Sequence, residues 1–287
     1  MRILLTGHKG QLGRTLLPLL EAAGHTVTGA DLPERDITER AGFLALAREV
    51  RPDLILHPAA LTDVDRCARE PALAYRVNGM GTQNVALAAQ DVGAELLTVS
   101  TNEVFDGRAT APYHEWAARR PINPYGRSKL AGEWYTQHLL TRFYIVRTAW
   151  LYAAGGSNFP HKMIQLADKH GALKVVTDEV GNPTYVKDLA RAILQLIETH
   201  AYGIYHFVNA GSASRYDFAT EILRLSGRDD VPIEPITSDY FRRDSTPPLY
   251  APLANTAGAA LGITLRPWQE AVAEFLAETG YARESDI

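Results

Sequence analysis

The sequence of 287 residues contains one cysteine, Cys67, and no long run of lysines or arginines. A single cysteine excludes an internal disulfide framework and a multi-cysteine zinc site, and it suits a reducing cytosol. The net charge of −4 argues against nucleic acid or an anionic membrane as the main partner. No stretch approaches the roughly 20 apolar residues of a membrane span, and the histidines show no metal-binding spacing. We therefore expect a cytoplasmic globular protein without a metal site.

Short apolar segments alternate with segments of helical periodicity through the first half of the chain. The alternation predicts strands near 2–5, 26–30, 54–56, 96–99 and 144–146, and helices near 12–23, 41–50, 75–92 and 123–139. Repeated strand and helix units of this length predict an α/β fold with a Rossmann-type doubly wound parallel sheet. Ligands of such sheets bind beyond the carboxyl ends of the strands.

The rhythm of the pattern changes after about residue 152. Helices near 186–199 and a strand near 205–208 are expected to return to the large sheet, whereas the other late segments form a smaller unit. We therefore expect a dinucleotide-binding domain from 1–151 plus about 186–210. A smaller α/β substrate-binding domain is expected from 152–185 plus 211–287.

A glycine-rich turn follows the first predicted strand. Gly7, Gly10 and Gly13 allow a tight turn and a close approach of the backbone to a pyrophosphate at the start of a helix. Asp31 ends the second predicted strand about 20 residues downstream, where a carboxylate can accept a hydrogen bond from the ribose of a dinucleotide. An ordinary turn before a helix could have the same glycines, so the downstream acid strengthens the interpretation.

A Tyr-x-x-x-Lys pair stands near the middle of the chain. Asn123 suits a helix N-cap and Pro124 the first helical position, so Tyr125 and Lys129 fall one turn apart on the same face. A nearby ammonium lowers a tyrosine pKa from about 10 toward working pH, which favours proton transfer with a sugar or alcohol oxygen. The pair alone is weak evidence because this spacing is common on solvated helix faces.

Together these motifs resemble the extended short-chain dehydrogenase/reductase family. The resemblance is closest to the dTDP-4-dehydrorhamnose reductases. It rests on TGHKGQLG at 6–13, STNEVFDG at 100–107, RTAWLY at 147–152, NF at 158–159 and GNPT at 181–184. It implies hydride transfer from NADH or NADPH to the 4-keto group of a deoxysugar nucleotide.

The resemblance also implies roles for individual residues. Tyr125 would protonate the C4 oxygen, Lys129 would bind the nicotinamide ribose, and Thr101 would donate a hydrogen bond to the ketone. The residues implied to bind the cofactor are Gly7, Gly10, Gln11, Leu12, Gly13, Asp31, Asp36, Ile37, Ala59, Ala60, Thr62, Tyr125 and Lys129. Those implied to bind the substrate are Val64, Thr101, Asn102, Trp150 and Tyr250. A helix cap at Asp36 and core packing at Val64 and Trp150 are the alternatives.

The sequence departs from the family pattern at the substrate side. Asn102 and Glu103 replace an Asp-Tyr pair, and Pro247 replaces an arginine that could contact the phosphates of the nucleotide. We expect weaker substrate binding unless Arg242 or Arg243 reaches the diphosphate. Two other functions stay open. One is a nucleotide-sugar epimerase or dehydratase, and the other is a non-catalytic NAD(P)-binding regulatory subunit resembling that of methionine adenosyltransferase.

Coenzyme preference and assembly are less constrained by the sequence. Asp31 favours the ribose hydroxyl of NADH and repels the 2′-phosphate of NADPH, while Arg35 could turn toward that phosphate. We predict that NADH is preferred and NADPH tolerated. The oligomeric state is left open, with a homodimer as one option.

Overall fold

The computed structural model describes residues 1–155 and 158–283. Within them the strands are β1 (Arg2–Thr6), β2 (Thr26–Ala30), β3 (Leu54–His57), β4 (Glu95–Thr101), β5 (Phe143–Thr148), β6 (Leu151–Tyr152), β7 (Leu173–Val176), β8 (Val180–Gly181), β9 (Thr184–Tyr185), β10 (Gly203–His206), β11 (Ala213–Ser214) and β12 (Ile233–Ile236). The α-helices are α1 (Gln11–Ala22), α2 (Arg40–Val50), α3 (Val64–Arg69), α4 (Pro71–Ala74), α5 (Thr82–Val92), α6 (Pro124–Leu139), α7 (Phe159–His170), α8 (Val186–Thr199), α9 (Arg215–Leu225), α10 (Ala257–Ala260) and α11 (Trp268–Glu278).

Six parallel strands form the central sheet in the order β2-β1-β3-β4-β5-β10. The chain starts at β1, adds β2 on one side and then continues at β3 on the other side. The direction of winding therefore reverses between β1 and β3, which is where a doubly wound sheet binds its ligand. The predicted α/β fold with a Rossmann-type parallel sheet is confirmed.

Hydrophobic side chains cover both faces of this sheet. Ile3 and Leu5 pack in the apolar cluster that contains residues of α1 and α8, whereas Leu4 packs with residues of α2 and α5. This follows from the alternation of side chains along a strand, and it explains why β1 is a continuous apolar run. Helices therefore pack on both faces of the sheet. Because its strands are parallel, their carboxyl ends lie together on one side of the domain.

The late strands form small sheets of their own. β7 pairs with β12, β8 with β11, and β6 with β9. Their apolar side chains join the cluster on the α1 and α8 face of the central sheet, through residues such as Tyr152, Val175 and Tyr185. No helix within the described ranges is both long and apolar enough to cross a membrane.

The helix predicted at 75–92 is divided in the structure. Tyr75–Gly81 is a π-helix, and α5 continues from it. The hydrogen bonds of a π-helix join residues five apart instead of four, and such turns are frequent at functional sites. Here Gly81 lies so close to Ile37 that a Cβ on the glycine would come within 2.9 Å of its side chain. The wider turn lets Asn78 contact the segment after β3.

Candidate active site

A cavity of about 1000 Å³ opens at the carboxyl ends of the central strands. It is lined by all but one of the residues predicted from the sequence, namely Gly7, Gly10, Gln11, Leu12, Gly13, Asp31, Asp36, Ile37, Ala59, Ala60, Thr62, Val64, Thr101, Asn102, Tyr125, Lys129 and Trp150. Tyr250 is the exception. Its backbone pairs with Arg108 and Val180 instead, so the structure does not place it with the others.

The glycine turn packs without room for side chains. Gly7 has a φ of +62°, and a Cβ there would come within 2.9 Å of the backbone of Ala59. A Cβ on Gly13 would lie 2.2 Å from the carbonyl oxygen of Gly7. Because Gly10 precedes α1 and has no side chain, the first N–H groups of this helix are not capped by a side chain. Uncapped N–H groups at a helix start fit the pyrophosphate of a dinucleotide.

Asp31, which follows β2, connects the glycine turn to the end of that strand through hydrogen bonds. Its carboxylate accepts hydrogen bonds from the backbone N–H of Lys9 at 2.9 Å and of Leu32 at 2.8 Å. Lys9 and Arg35 line the cavity beside it. This end of the cavity therefore combines Asp31 with Arg35 and with Lys9, whose ammonium pairs with Glu34 at 3.2 Å.

The segment after β3 is held by Asn78, a residue that the sequence analysis did not single out. Its side chain accepts a hydrogen bond from the backbone N–H of Leu61 at 2.8 Å and donates to the carbonyl oxygen of Leu61 at 3.0 Å. It also donates to the hydroxyl of Ser128 on α6 at 3.0 Å. Asn78 thus joins the segment after β3 to helix α6.

The start of α6 is built as the sequence predicts. The side chain of Asn123 accepts a hydrogen bond from the backbone N–H of Gly126 at 2.8 Å, and Pro124 is the first helical residue. A Cβ on Gly126 would lie 2.1 Å from the carbonyl oxygen of Glu103, so the helix fits directly against the turn that follows β4. This contact brings Tyr125 to Thr101, whose hydroxyl is near enough to the phenol to lower its pKa.

The pKa of Tyr125 differs from the expectation. Burial and the charge of Glu103 raise the pKa of Tyr125 above its ordinary value of about 10, and the hydrogen bond with Thr101 only partly offsets them. The prediction that the ammonium of Lys129 lowers this pKa is wrong for the chain without ligands, because burial of the phenol raises the pKa most and the charge of Glu103 adds to the rise. A raised pKa keeps Tyr125 protonated at neutral pH.

Lys129 is only 5% exposed. Burial lowers the pKa of Lys129 to about 8, and the nearby charge of Glu133 partly opposes this effect. Its ammonium has no hydrogen-bond or ion-pair partner within residues 1–155 and 158–283. A buried donor without a partner is costly, so a hydroxyl of the coenzyme ribose at this position would satisfy it.

Thr101 and Asn102 are linked to each other and to the late part of the chain. The hydroxyl of Thr101 donates to the side-chain oxygen of Asn102 at 3.3 Å and accepts from the backbone N–H of Glu103 at 3.2 Å. The amide of Asn102 also donates to the carbonyl oxygen of Ala251 at 3.1 Å. Asn102 therefore fixes the turn after β4 against the segment around Ala251 while it lines the cavity.

Two charged residues at this end of the cavity, Glu103 and Arg215, have no role predicted from the sequence. Glu103 lines the cavity, and its carboxylate accepts a hydrogen bond of 2.6 Å from the side chain of Asn123. Burial raises the pKa of Glu103, whereas Asn123 and the charge of Arg215 oppose the rise. Arg215, at the start of α9, also lines the cavity. A lone arginine at a helix start gives no sequence signal of a binding role.

No group of three or more histidine, cysteine, aspartate or glutamate side chains is arranged to hold a metal within the described ranges. The groups available for chemistry in the cavity are therefore the phenol of Tyr125, the hydroxyl of Thr101 and the ammonium of Lys129, next to the glycine turn that is suited to a dinucleotide. The fold and this site together define an NAD(P)-dependent oxidoreductase of the extended short-chain dehydrogenase/reductase class.

Comparison with known proteins narrows the class. The chain belongs to the RmlD substrate binding domain family, whose family model matches residues 1–280. It is 41% identical over 280 residues to a dTDP-4-dehydrorhamnose reductase of Streptomyces griseus, covering 95% of this chain and 92% of the relative. The resemblance inferred from the motifs is confirmed.

Two solved structures are similar over nearly the whole chain. One is a dTDP-4-dehydrorhamnose reductase of Clostridium acetobutylicum, with a TM-score of 0.94 and 40% identity over 98% of this chain and 100% of that one. The other is a dTDP-4-dehydrorhamnose reductase of Bacillus anthracis in complex with NADP, with a TM-score of 0.93 and 38% identity over 97% of this chain and 99% of that one.

Proposed function

We propose that this protein reduces the 4-keto group of a deoxysugar nucleotide, dTDP-4-dehydro-L-rhamnose or a close analogue, with hydride from NADH or NADPH. The product is dTDP-L-rhamnose or the corresponding analogue. The observation that carries the proposal is that Thr101, Tyr125 and Lys129 line the same cavity as the glycine turn. The names of the relatives from S. griseus and C. acetobutylicum support this substrate.

The chain supplies positioning and a proton. When bound, the coenzyme provides the hydride for the C4 carbon. The glycine turn and the start of α1 hold its pyrophosphate, and Lys129 donates hydrogen bonds to its ribose. Thr101 donates a hydrogen bond to the ketone oxygen, and Tyr125 transfers its proton to that oxygen as negative charge develops there. The raised pKa of Tyr125 suits this role, because an acid must be protonated at working pH.

The two alternatives fit less well. An epimerase or dehydratase uses the same phenol and ammonium but keeps its NAD throughout turnover, whereas the relatives that we compared are named as reductases. A non-catalytic subunit needs the dinucleotide cradle but not the hydroxyl of Thr101 beside the phenol of Tyr125. The reductase accounts for all three residues.

The division into domains and the assembly are part of the proposal. Residues 1–151 with about 186–210 hold the coenzyme, and 152–185 with 211–287 complete the substrate pocket, which is supported by the position of Arg215 in the cavity. A homodimer is supported by the exposure of Tyr75, Met80 and Trp134, which are 43%, 43% and 53% exposed. The net charge supports the absence of a nucleic acid partner, and the buried Cys67 supports a cytoplasmic location.

The test is a spectrophotometric assay of NADH and NADPH oxidation with a panel of 4-keto-6-deoxy nucleotide sugars. We expect oxidation that depends on the keto sugar, together with formation of the 4-hydroxy sugar, and loss of both in Thr101→Val. Coenzyme that stays unoxidised while it binds normally, with every sugar of the panel, would contradict the proposal. Sedimentation of the purified protein tests the dimer separately.

A further inference from the structure

The lining of the cavity holds more cationic than acidic side chains, although the chain as a whole is acidic. Its charged lining consists of six cationic and three acidic side chains, which are Lys9, Arg35, Arg66, Arg76, Lys129 and Arg215, with Asp31, Asp36 and Glu103. A cationic cleft in a protein of net charge −4 favours anionic ligands. Of the described residues after 151, Arg215 is the one that lines this cavity. It is the charge that the late part of the chain adds to the site.

Arg215 is held on an aromatic platform. Its guanidinium carbon lies 3.5 Å from the centroid of the Trp150 ring and 5.1 Å from that of Phe159. Trp150 is itself fixed, because a Cβ on Gly181 would come within 2.7 Å of its ring. A guanidinium stacked on a ring keeps its N–H donors in its own plane, directed past the ring edge, in the fork that suits a phosphate.

The donors of Arg215 are only loosely used by the protein. Its closest acid is Glu179, with 3.6 Å between Nε and the carboxylate, and the same carboxylate binds Nη1 of Arg243 at 3.3 Å. One acid is thus shared by two guanidinium groups. Burial lowers the pKa of Arg215 to about 10, and the neighbouring charge of Arg243 acts in the same direction. A further anion next to Arg215 would be stabilised.

The arginines considered from the sequence are placed differently. Arg243 is held between Glu179 and Asp65, with 3.9 Å between its Nε and the latter carboxylate, and it does not line the cavity. The proline segment beyond it packs on Gly107, where a Cβ would come within 2.8 Å of Pro248. This segment therefore adds no cation to the cavity.

We infer that Arg215, stacked on Trp150, binds the diphosphate of the nucleotide sugar and takes the place of the arginine that is absent at position 247. The inference rests on the proposed function and adds a specificity-determining residue to it. The competing source of the same anion is the pyrophosphate of the coenzyme, which the glycine turn is built to hold.

The experiment measures the dissociation constants of dTDP, thymidine and NADPH for the wild type, Arg215→Gln and Arg215→Lys. We expect Arg215→Gln to bind dTDP about ten- to a hundredfold more weakly, with thymidine and NADPH unchanged. Arg215→Lys keeps the charge but not the planar fork, so its loss should be intermediate. Arg224→Gln is the matched control, since Arg224 lies on the same helix and binds Glu221 at 2.8 Å. It should bind dTDP as the wild type does.

Two results would overturn the inference. One is wild-type affinity of Arg215→Gln for dTDP, and the other is a loss of affinity that is equal for dTDP and thymidine or is confined to NADPH. The lysine variant shows whether a loss comes from the missing donors or from misfolding. The proposed function fails separately, if the wild type binds dTDP through Arg215 but oxidises no coenzyme with any 4-keto sugar.

Discussion

Two charge clusters, one around Glu133 of helix α6 and one around Arg215 at the cavity, are paired to different degrees. On one side Glu133 receives both Nε and Nη2 of Arg147 at 2.8 Å, and both side chains are at most 1% exposed. The hydroxyl of Ser100 adds a bond of 2.6 Å. On the cavity side, Arg215 lies 3.6 Å from an acid that it shares.

The difference separates a structural cluster from a ligand-binding one. Burial acts to raise the pKa of Glu133, but the bonds with Arg147 and Ser100 lower it overall, so this carboxylate is satisfied within the protein. The cluster around Arg215 keeps hydrogen-bonding capacity toward the cavity. Burial of charge alone therefore does not identify a binding site, whereas incomplete pairing of a buried charge does.

The largest effect is expected at the cavity side of α6. Tyr125→Phe removes the proton donor while the ring still packs and Lys129 still reaches the ribose. A general acid contributes typically a hundred- to ten-thousand-fold to the rate, so we expect kcat to fall by about that factor. Coenzyme affinity, measured by fluorescence titration, should be unchanged. Turnover at the wild-type rate would show that Tyr125 is not the acid.

The next effect concerns the stability that the cluster around Glu133 gives to the fold. Arg147→Met leaves Glu133 buried without its bidentate partner, and we expect the free energy of unfolding to fall by about 3–5 kcal/mol in urea titrations. Arg119→Met is the control, because Arg119 contacts the same carboxylate at 3.3 Å from a position that is 34% exposed. Its loss should be below about 1 kcal/mol. Equal losses in the two variants would show that the buried bidentate pair stabilises the fold no more than the partly exposed contact does.

A smaller effect is expected from Glu103, the acid whose charge acts on the phenol of Tyr125. Burial and, to a smaller extent, the charge of Glu103 raise the pKa of Tyr125, and Tyr125 must be protonated to act, so activity falls as pH rises through that pKa. Glu103→Gln should lower this pKa and move the decline of kcat to lower pH, with less than about a tenfold change at pH 7. A decline that stays in place or moves to higher pH would show that Glu103 does not act on Tyr125.

The smallest effect concerns the coenzyme. Asp31 already accepts two backbone hydrogen bonds, and Arg35 lines the cavity beside it, whereas the ammonium of Lys9 pairs with Glu34 at 3.2 Å. We therefore expect NADH to bind only about three- to tenfold more tightly than NADPH, with Asp31→Asn narrowing the gap. The dissociation constants must be compared at matched ionic strength. Tighter binding of NADPH would reverse the preference predicted from Asp31.

Much of the coenzyme side was predictable from the sequence because local rules determine it. The glycine spacing, the acid after β2 and the cap of α6 each follow from short-range geometry around Gly7, Asp31 and Asn123. Apolar alternation likewise predicted the central strands. These features need no knowledge of which distant segments meet.

The substrate side was less predictable because its contacts join segments far apart in the chain. Arg215 stacks on Trp150, and Asn78 binds Leu61 from within a π-helix that no periodicity signals. The pKa of Tyr125 was predicted in the wrong direction for the same reason. Sequence spacing showed the lysine one turn away, whereas the burial that raises this pKa most, and the charge of Glu103 that adds to it, depend on other elements.

The most direct test of the account is isotope transfer. The wild type is incubated with dTDP-4-dehydro-L-rhamnose and NADPH deuterated at the transferable C4 position of the nicotinamide, and the sugar product is examined by NMR and mass spectrometry. The account predicts one deuterium at C4 of the sugar for each coenzyme oxidised. A 4-hydroxy sugar without the label, or label at another carbon, would contradict direct hydride transfer to the ketone beside Tyr125.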